Sequence, residues 1–245
     1  MSGPKVLTLD IETSPNLAHV WSLWKQNVSL SQLMQSGQVI CFAAKWHDRP
    51  KVTFHSDHHD GHDEMVRHAH RLIDEADVVV HYNGLAFDMP HLRREFLLAE
   101  LAPPSPVQEI DLLKVVQKHF RFTSNKLAHV TEQLGLTGKL SHGGHQLWVD
   151  CMNGDPKAWG TMRRYNKQDV VTTEELYGRL LPWITGHPHV GLYDGEAYCC
   201  RNCGSKDVQK RGFRYTAYSK YQQVQCNKCG SWSRHTAREL GVKVG

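Results

Sequence analysis

Hydrophobic and polar positions alternate along this chain with two periods, first short and then long. Val6 to Ile11 is a nearly continuous apolar run, ended by Ser14-Pro15-Asn16, and it reads as a buried strand. Val39 to Trp46 and Lys51 to His55 read as two more strands, with His47-Asp48-Arg49-Pro50 turning between them. Asp63 to Glu75 changes to a helical period, placing Met65, Ala69, Leu72 and Ile73 on one face. Val78, Val79 and Val80 form another buried strand before the turn dipeptide Asn83-Gly84. A helix is expected from Asp88 to Glu100, with Pro90 in its first turn. Pro103-Pro104-Ser105-Pro106 is a rigid connector, and helical patterns follow at about 111–120, 125–134 and 156–181. Residues 17–36, with Trp21 and Trp24, fit neither period. Strands first and helices interleaved later argue for an α/β domain with a mixed sheet.

Composition divides the chain in two. Residues 198–245 hold ten Lys or Arg against Asp207 and Glu239, a balance of +8, whereas residues 1–197 carry −4. An acidic body suits bound cations, and a basic tail suits a polyanion. No stretch reaches the ~18 apolar residues of a membrane helix, and the N-terminal residues lack a signal-peptide core. A soluble, cytoplasmic protein with no membrane partner is expected. Four of the seven cysteines form two C-x-x-C pairs, a pattern of metal binding in a reducing compartment rather than of disulfides.

The chemistry is carried by acids. Asp10 and Glu12 are two apart on a strand, so their side chains emerge on one face. Asp88 stands where a strand hands over to a helix, and Tyr165 and Asp169 are four apart on a helix, facing the same way. Hard carboxylate oxygens at such fixed points suit Mg²⁺ or Mn²⁺, and a pair of ions suits phosphodiester hydrolysis.

Asp10-Ile11-Glu12-Thr13, Asn83-x-x-x-Phe87-Asp88 and Tyr165-x-x-x-Asp169 resemble, in this order, the three exonuclease motifs of the DEDD superfamily. That group includes DnaQ-like exonucleases and the proofreading domains of family B DNA polymerases. The resemblance covers about residues 5–182. It implies an RNase H-like fold, a central mixed sheet flanked by helices, and release of nucleoside 5′-monophosphates from 3′ ends. Asp10, Glu12, Asp88 and Asp169 would then be the ligands of two Mg²⁺ or Mn²⁺, and Tyr165 would orient the attacking water. The other branch of the superfamily has a histidine where this chain has Arg164, so the tyrosine branch is implied. The compact layout resembles exonucleases encoded by bacteriophages, which would place it in a host cytoplasm.

Lys126, at the start of an expected helix, is the candidate for the basic residue that related exonucleases hold near the scissile phosphate. Asn83 is assigned a mixed role, in the turn and at the substrate. Phe87 is expected in the core, Asp111 as a helix cap, and Trp21 and Trp24 as buried side chains rather than base-stacking ones. His55, His58, His59, His62, His68 and His70 read as surface histidines, and Cys41 and Cys151 as structural thiols.

Cys200-x-x-Cys203-Gly204 and Cys226-x-x-Cys229-Gly230 lie twenty-two residues apart. Four thiolates at this spacing close a tetrahedral site for one structural Zn²⁺, and the pattern resembles zinc-ribbon modules. Lys210 to Tyr215, with Tyr218, Lys220 and Tyr221, interleaves cations and aromatics as a single-strand binder does. The expected organisation is a catalytic domain over 1–185, a linker over 186–197, and a ribbon with basic tail over 198–245. The expected activity is 3′–5′ hydrolysis of single-stranded DNA, with RNA as an open substrate and a replication protein as a partner of the ribbon. The alternatives are a nucleic-acid-binding scaffold on an inactive nuclease fold, and an RNase H-like endonuclease on structured DNA.

Overall fold

The structure is a computed structural model that describes residues 3–47, 49–136, 138, 143–196 and 198–242. Asp48 of the expected turn and the last three residues of the basic tail lie outside these. A long strand, β1 (Val6–Thr13), precedes a small hairpin of β2 (Leu17–Ala18) and β3 (Leu33–Gln35), then β4 (Val39–Trp46) and β5 (Val52–Ser56). Helices α1 (Asp57–Asp60) and α2 (His62–Glu75) lead to β6 (Val78–His81), α3 (Asp88–Leu98), β7 (Gln108–Asp111) and α4 (Leu112–His119). Then come α5 (Leu127–Gln133), α6 (His145–Met152), α7 (Pro156–Leu180) and α8 (Gly191–Asp194). The last three strands, β8 (Val208–Tyr215), β9 (Ser219–Cys226) and β10 (Trp232–Gly241), make a separate antiparallel sheet in the order β10-β9-β8.

The five-stranded sheet runs β5-β4-β1-β6-β7. β1 pairs antiparallel with β4 and parallel with β6, so the sheet is mixed. Alternation along β1 sends Leu7, Leu9 and Ile11 to the face covered by α2 and α3, where they meet Met65, Ile73, Met89 and Phe96. Thr8, Asp10 and Glu12 therefore face the other layer, which α7 crosses. β4 is buried on both faces, which explains its unbroken apolar sequence. On α7 the buried positions Met162, Tyr165, Asn166, Asp169, Thr173, Leu176 and Leu180 recur at three- and four-residue steps. That stripe is polar in the middle and apolar at both ends, so the helix is seated by its ends and presents chemistry at its centre. An α/β/α domain with an RNase H-like mixed sheet results, as the sequence resemblance implied.

Besides the short elements β2, β3, α1 and α8, one strand of the main sheet and one helix escaped the periodicity reading. β7 has the sequence QEID, of which only Ile110 and Asp111 are buried, so it carries no strand-like apolar signal. Its pairing with β6 makes it a strand. α6 buries only Leu147 and Cys151, too few for a clear stripe. Asp111 caps α4 by accepting from Leu113 N at 2.9 Å, as expected.

Glu95 on α3 ties this layer together. Its carboxylate accepts from Val39 N at 3.1 Å and from Arg94 at 2.6 Å, and it lies 3.4 Å from His62 on α2. Burial alone pushes Glu95 up, but these three donors outweigh it and hold the group at about 2. A depressed carboxylate stabilises the fold above its unfolded value near 4.5, and the contribution is lost as pH falls towards 2. Glu95→Gln should therefore cost roughly 1–3 kcal/mol at neutral pH. Chemical denaturation should show the wild-type advantage largest at about pH 5–6, easing above neutral pH as His62, whose pKa Glu95 raises, loses its proton, and vanishing between about pH 4.5 and 2; an advantage that grows below about pH 4.5 would contradict this assignment.

Candidate metal centres

The site begins at the end of β1. Ligand oxygens of Asp10, Glu12 and Asp169 lie within 4.8 Å of one another. The β1–β6 ladder stops at Thr8–Val80, two residues short of Asp10. Ile11 N, beyond the reach of β6, instead donates to Asp88 Oδ1 at 3.1 Å, which fixes Asp88 against the same strand end. Asp88 stands outside the tight trio, yet its charge is the largest electrostatic influence on Asp10.

This arrangement is costly without a cation. Asp10 is pushed well above the usual carboxylate range, by burial first and then by repulsion from Asp88, Glu12 and Asp169. Asp88 is pushed up to about 6, chiefly by burial, with His81 and the Ile11 N–H opposing. Crowded like charges with hard oxygen donors fit divalent cations, and Asp10, Glu12 and Asp169 could hold one, with Asp88 beside them. Tyr165 donates to Asp169 one helical turn away and packs edge-on to Trp148. Burial, and then the neighbouring negative charges, drive its hydroxyl far up, so it stays neutral at any working pH.

Sequence reasoning missed Asn166. Its Nδ2 donates to the Asp10 carboxylate at 2.7 Å and to the Asp10 carbonyl at 3.1 Å. Its spacing of three from Asp169 on a helix was the available signal. It also missed His81, fully buried at the end of β6, whose Nδ1 accepts from Gly84 N at 3.1 Å. Gly84 is required there, because a Cβ would stand 2.3 Å from the His81 ring.

The other sequence candidates are placed as follows. Asn83 has φ +69° and donates its N–H to Asp111 Oδ1 at 2.9 Å, so its backbone makes the turn before Asp88. Lys126 is exposed at the start of α5. Its loop is tied to the Asn83 turn by Tyr82, whose hydroxyl donates to Asn125 O at 2.5 Å. Phe87, expected in the core, is more than one-third exposed and packs on His91, because the turn into α3 points it outward. Trp21 and Trp24, expected to be buried, are 98% and 81% exposed, since the β2–β3 hairpin leaves the sheet without a layer to cover it. The histidines are not simply surface groups. His55 stacks between Phe42 and His68, and His58 stacks on Trp159. Cys41 and Cys151 are buried in the core.

A second centre lies in the ribbon. Sγ atoms of Cys200 and Cys229 are 3.6 Å apart, and those of Cys203 and Cys226 are 3.7 Å apart. Four sulfurs about 2.3 Å from a tetrahedral zinc would be separated by about 3.8 Å, so the cage has the right size. Burial pushes the Cys226 thiol up, but N–H groups of Cys229 and Lys228 more than offset it and bring it to about 7. The cage is held to the body: Asn202 Nδ2 donates to the carbonyls of Leu181 at 2.6 Å and Ile184 at 3.1 Å. The connector before it is folded as well, with Tyr177 and His187 hydrogen-bonded at 2.6 Å.

With this geometry established, comparison with known proteins gives the class. A sequence model of the RNase_H superfamily matches residues 30–181, well over half the chain, so the protein belongs to that superfamily. The matched span holds Asp88 and Asp169, while Asp10 and Glu12 precede it. Among solved structures the chain is similar to the family B DNA polymerase of the hyperthermophilic archaeon Pyrobaculum calidifontis, with a TM-score of 0.58 and 19% identity. The similarity covers 89% of this chain and 32% of the polymerase, so the chain spans about a third of that protein's length. No curated protein matches the chain in sequence. Among the described residues no helix is long and apolar enough to cross a membrane.

Two outcomes follow for the metals. Mn²⁺ should raise the unfolding midpoint at pH 7.5, and Asp10→Asn should abolish that response while raising the metal-free midpoint by roughly 2–5 °C through relieved repulsion; scanning calorimetry with and without Mn²⁺ checks both. Native mass spectrometry should find one zinc per chain, absent in Cys226→Ser. A zinc-free wild-type protein with an intact ribbon spectrum would refute the cage.

Proposed function

We propose that this protein is a metal-dependent 3′–5′ exonuclease of the tyrosine branch of the DEDD group, acting on single-stranded DNA and releasing nucleoside 5′-monophosphates. The observation that carries this reading is the convergence of Asp10, Glu12 and Asp169 within 4.8 Å, with Asp88 pinned beside them. Membership of the RNase_H superfamily supports a nuclease, and the likeness to a polymerase of DNA supports DNA as the polymer.

In this reading Asp10, Glu12, Asp88 and Asp169 hold two Mg²⁺ or Mn²⁺. When bound, such ions polarise the phosphate and make a water acidic enough to attack near neutral pH. Asn166 holds the Asp10 carboxylate in one orientation, so this ligand loses little conformational entropy on binding. Tyr165, neutral and anchored to Asp169, offers its hydroxyl oxygen as an acceptor that aligns the attacking water and does not act as a base. A bond forms from the water oxygen to the phosphorus of the last linkage as the P–O3′ bond breaks. The water's proton passes to bulk solvent and the freed 3′ oxygen takes one back, leaving a strand one nucleotide shorter and a nucleoside 5′-monophosphate. Asn83 and Lys126, on loops joined by Tyr82, flank the terminal nucleotide.

An end-labelled single strand with Mg²⁺ or Mn²⁺ tests the proposal. The expected result is a ladder shortening one nucleotide at a time from the 3′ end. Asp10→Ala and Asp169→Ala should each lower the rate by at least about 10³ while leaving strand affinity within about threefold. Tyr165→Phe should cost about 10² in kcat with little change in KM, the signature of a misaligned reactant. Cuts within the strand would identify an endonuclease instead, and tight binding with no turnover would identify an inactive nuclease fold.

A further inference from the structure

The ribbon is docked so that it and the body together form a cleft of about 510 Å³. One wall comes from the body, with Lys118 at the end of α4 and Thr185 after α7. The other comes from the ribbon, with Arg201, Arg214, Trp232 and Arg234. Three of these four cationic groups have neutral partners. Lys118 donates to Thr185 Oγ1 at 2.9 Å, Arg201 donates to the His187 carbonyl, and Arg234 lies 3.7 Å over the Tyr221 ring. Such cations keep their charge for an incoming anion. Trp232 is nearly half exposed beside them and offers a flat apolar face.

A second, smaller groove of about 240 Å³ adjoins the first, sharing Lys118, Ile184 and Thr185. It follows β7, the edge strand, past Lys114 and the carboxylates of Glu109, which Arg93 pairs, and Asp111, which caps α4, and reaches Leu85. Leu85 is three residues before Asp88 in the turn that positions that carboxylate. The two grooves thus form one path from the ribbon to the carboxylate end of the sheet. Along α7 the distance from Asp169 to Leu180, where the ribbon is docked, is about 16 Å. For a strand that stays stacked, at about 3.4 Å per phosphate, that is roughly five nucleotides.

We propose that this cleft is a second binding site for the substrate strand, holding its phosphates at Lys118, Arg201, Arg214 and Arg234, and a base on Trp232, while the 3′ end occupies the carboxylate centre. The assignment rests on the proposed nuclease function for what happens at the far end of the path, and on the cleft alone for strand binding. It makes the ribbon a length gauge: strands shorter than about five nucleotides engage only the body, and longer ones engage both.

The double variant Arg214→Glu/Arg234→Glu tests this, because both side chains are exposed and neither contacts the zinc cage or the carboxylates. Binding is measured by fluorescence anisotropy on a labelled 20-nucleotide strand without divalent ions, and turnover on that strand and on a trinucleotide with Mn²⁺. The expected result is at least tenfold weaker binding of the 20-mer and a log–log salt dependence shallower by about 1.4, two phosphates at roughly 0.7 each. Trinucleotide turnover stays at the wild-type rate. Unchanged 20-mer affinity and salt slope, with turnover intact, would overturn the second site and leave the nuclease reading standing. Arginine-dependent 20-mer binding with no turnover of either substrate would uphold the second site and overturn the nuclease reading. Trp232→Ala, expected to weaken 20-mer binding several-fold without changing the salt slope, separates stacking from charge.

Discussion

The crossing of α7 over β1 is the contact on which the rest of this molecule depends. Helix and strand are far apart in sequence, and at their closest approach the contact is polar. Asn166 bridges the carbonyl and carboxylate of Asp10, and Asp169 lies one turn further on. The apolar ends of the helix supply the energy that holds this polar centre in place. Met162 and Trp159 pack with Leu147 and Cys41 at one end, and Leu176 and Leu180 pack with Val80 and Val116 at the other. A helix anchored at only one end could swing Asp169 away from like charges that repel it. Anchored at both, it keeps a ligand oxygen of Asp169 within 4.8 Å of those of Asp10 and Glu12.

The same logic explains why so much of the neighbouring structure is occupied with Asp88. Its carboxylate would gain by protonation or by turning to solvent, but Ile11 N–H holds one oxygen and the His81 ring opposes its protonation. His81 in turn is set by Gly84, and the turn itself is clamped by Asp111 through Asn83 N. Each of these contacts is short-range and cheap. In series they transfer the rigidity of the sheet to a group that electrostatics alone would expel.

Much of this was legible in the chain because strands buried on both faces leave long apolar runs. β4 is found at the boundaries its sequence suggests, and β1, β6 and α2 differ only by a residue or two at their ends. The spacing of Asp10 and Glu12 on one strand face, and of Tyr165 and Asp169 on one helix face, followed from backbone geometry alone. What was not legible depends on tertiary partners. β7 is a strand because β6 pairs with it, despite a polar sequence. Trp21, Trp24 and Phe87 look like core residues by type, yet they sit on a hairpin and a turn with no layer above them. Asn166 is an ordinary polar helix residue until Asp10 is placed against it. Composition states what a side chain prefers, and only the assembled layers decide whether that preference can be met.

The division of charge along the sequence acquires a physical meaning once the two parts are assembled. A centre built from four carboxylates repels a phosphodiester unless cations are bound. Positive charge placed among those carboxylates would compete with the cations they are arranged to hold. In the proposed reading, placing it on a small domain docked beyond Leu180 by Asn202 and Arg201, about 16 Å along α7 from Asp169, avoids that competition while keeping both parts within reach of one strand. Attraction at one end and ion-mediated chemistry at the other could then each be strong, because neither would neutralise the other. A zinc cage would suit this arrangement, since it would stabilise a sheet whose exposed faces are free to carry arginines and aromatics instead of a hydrophobic core.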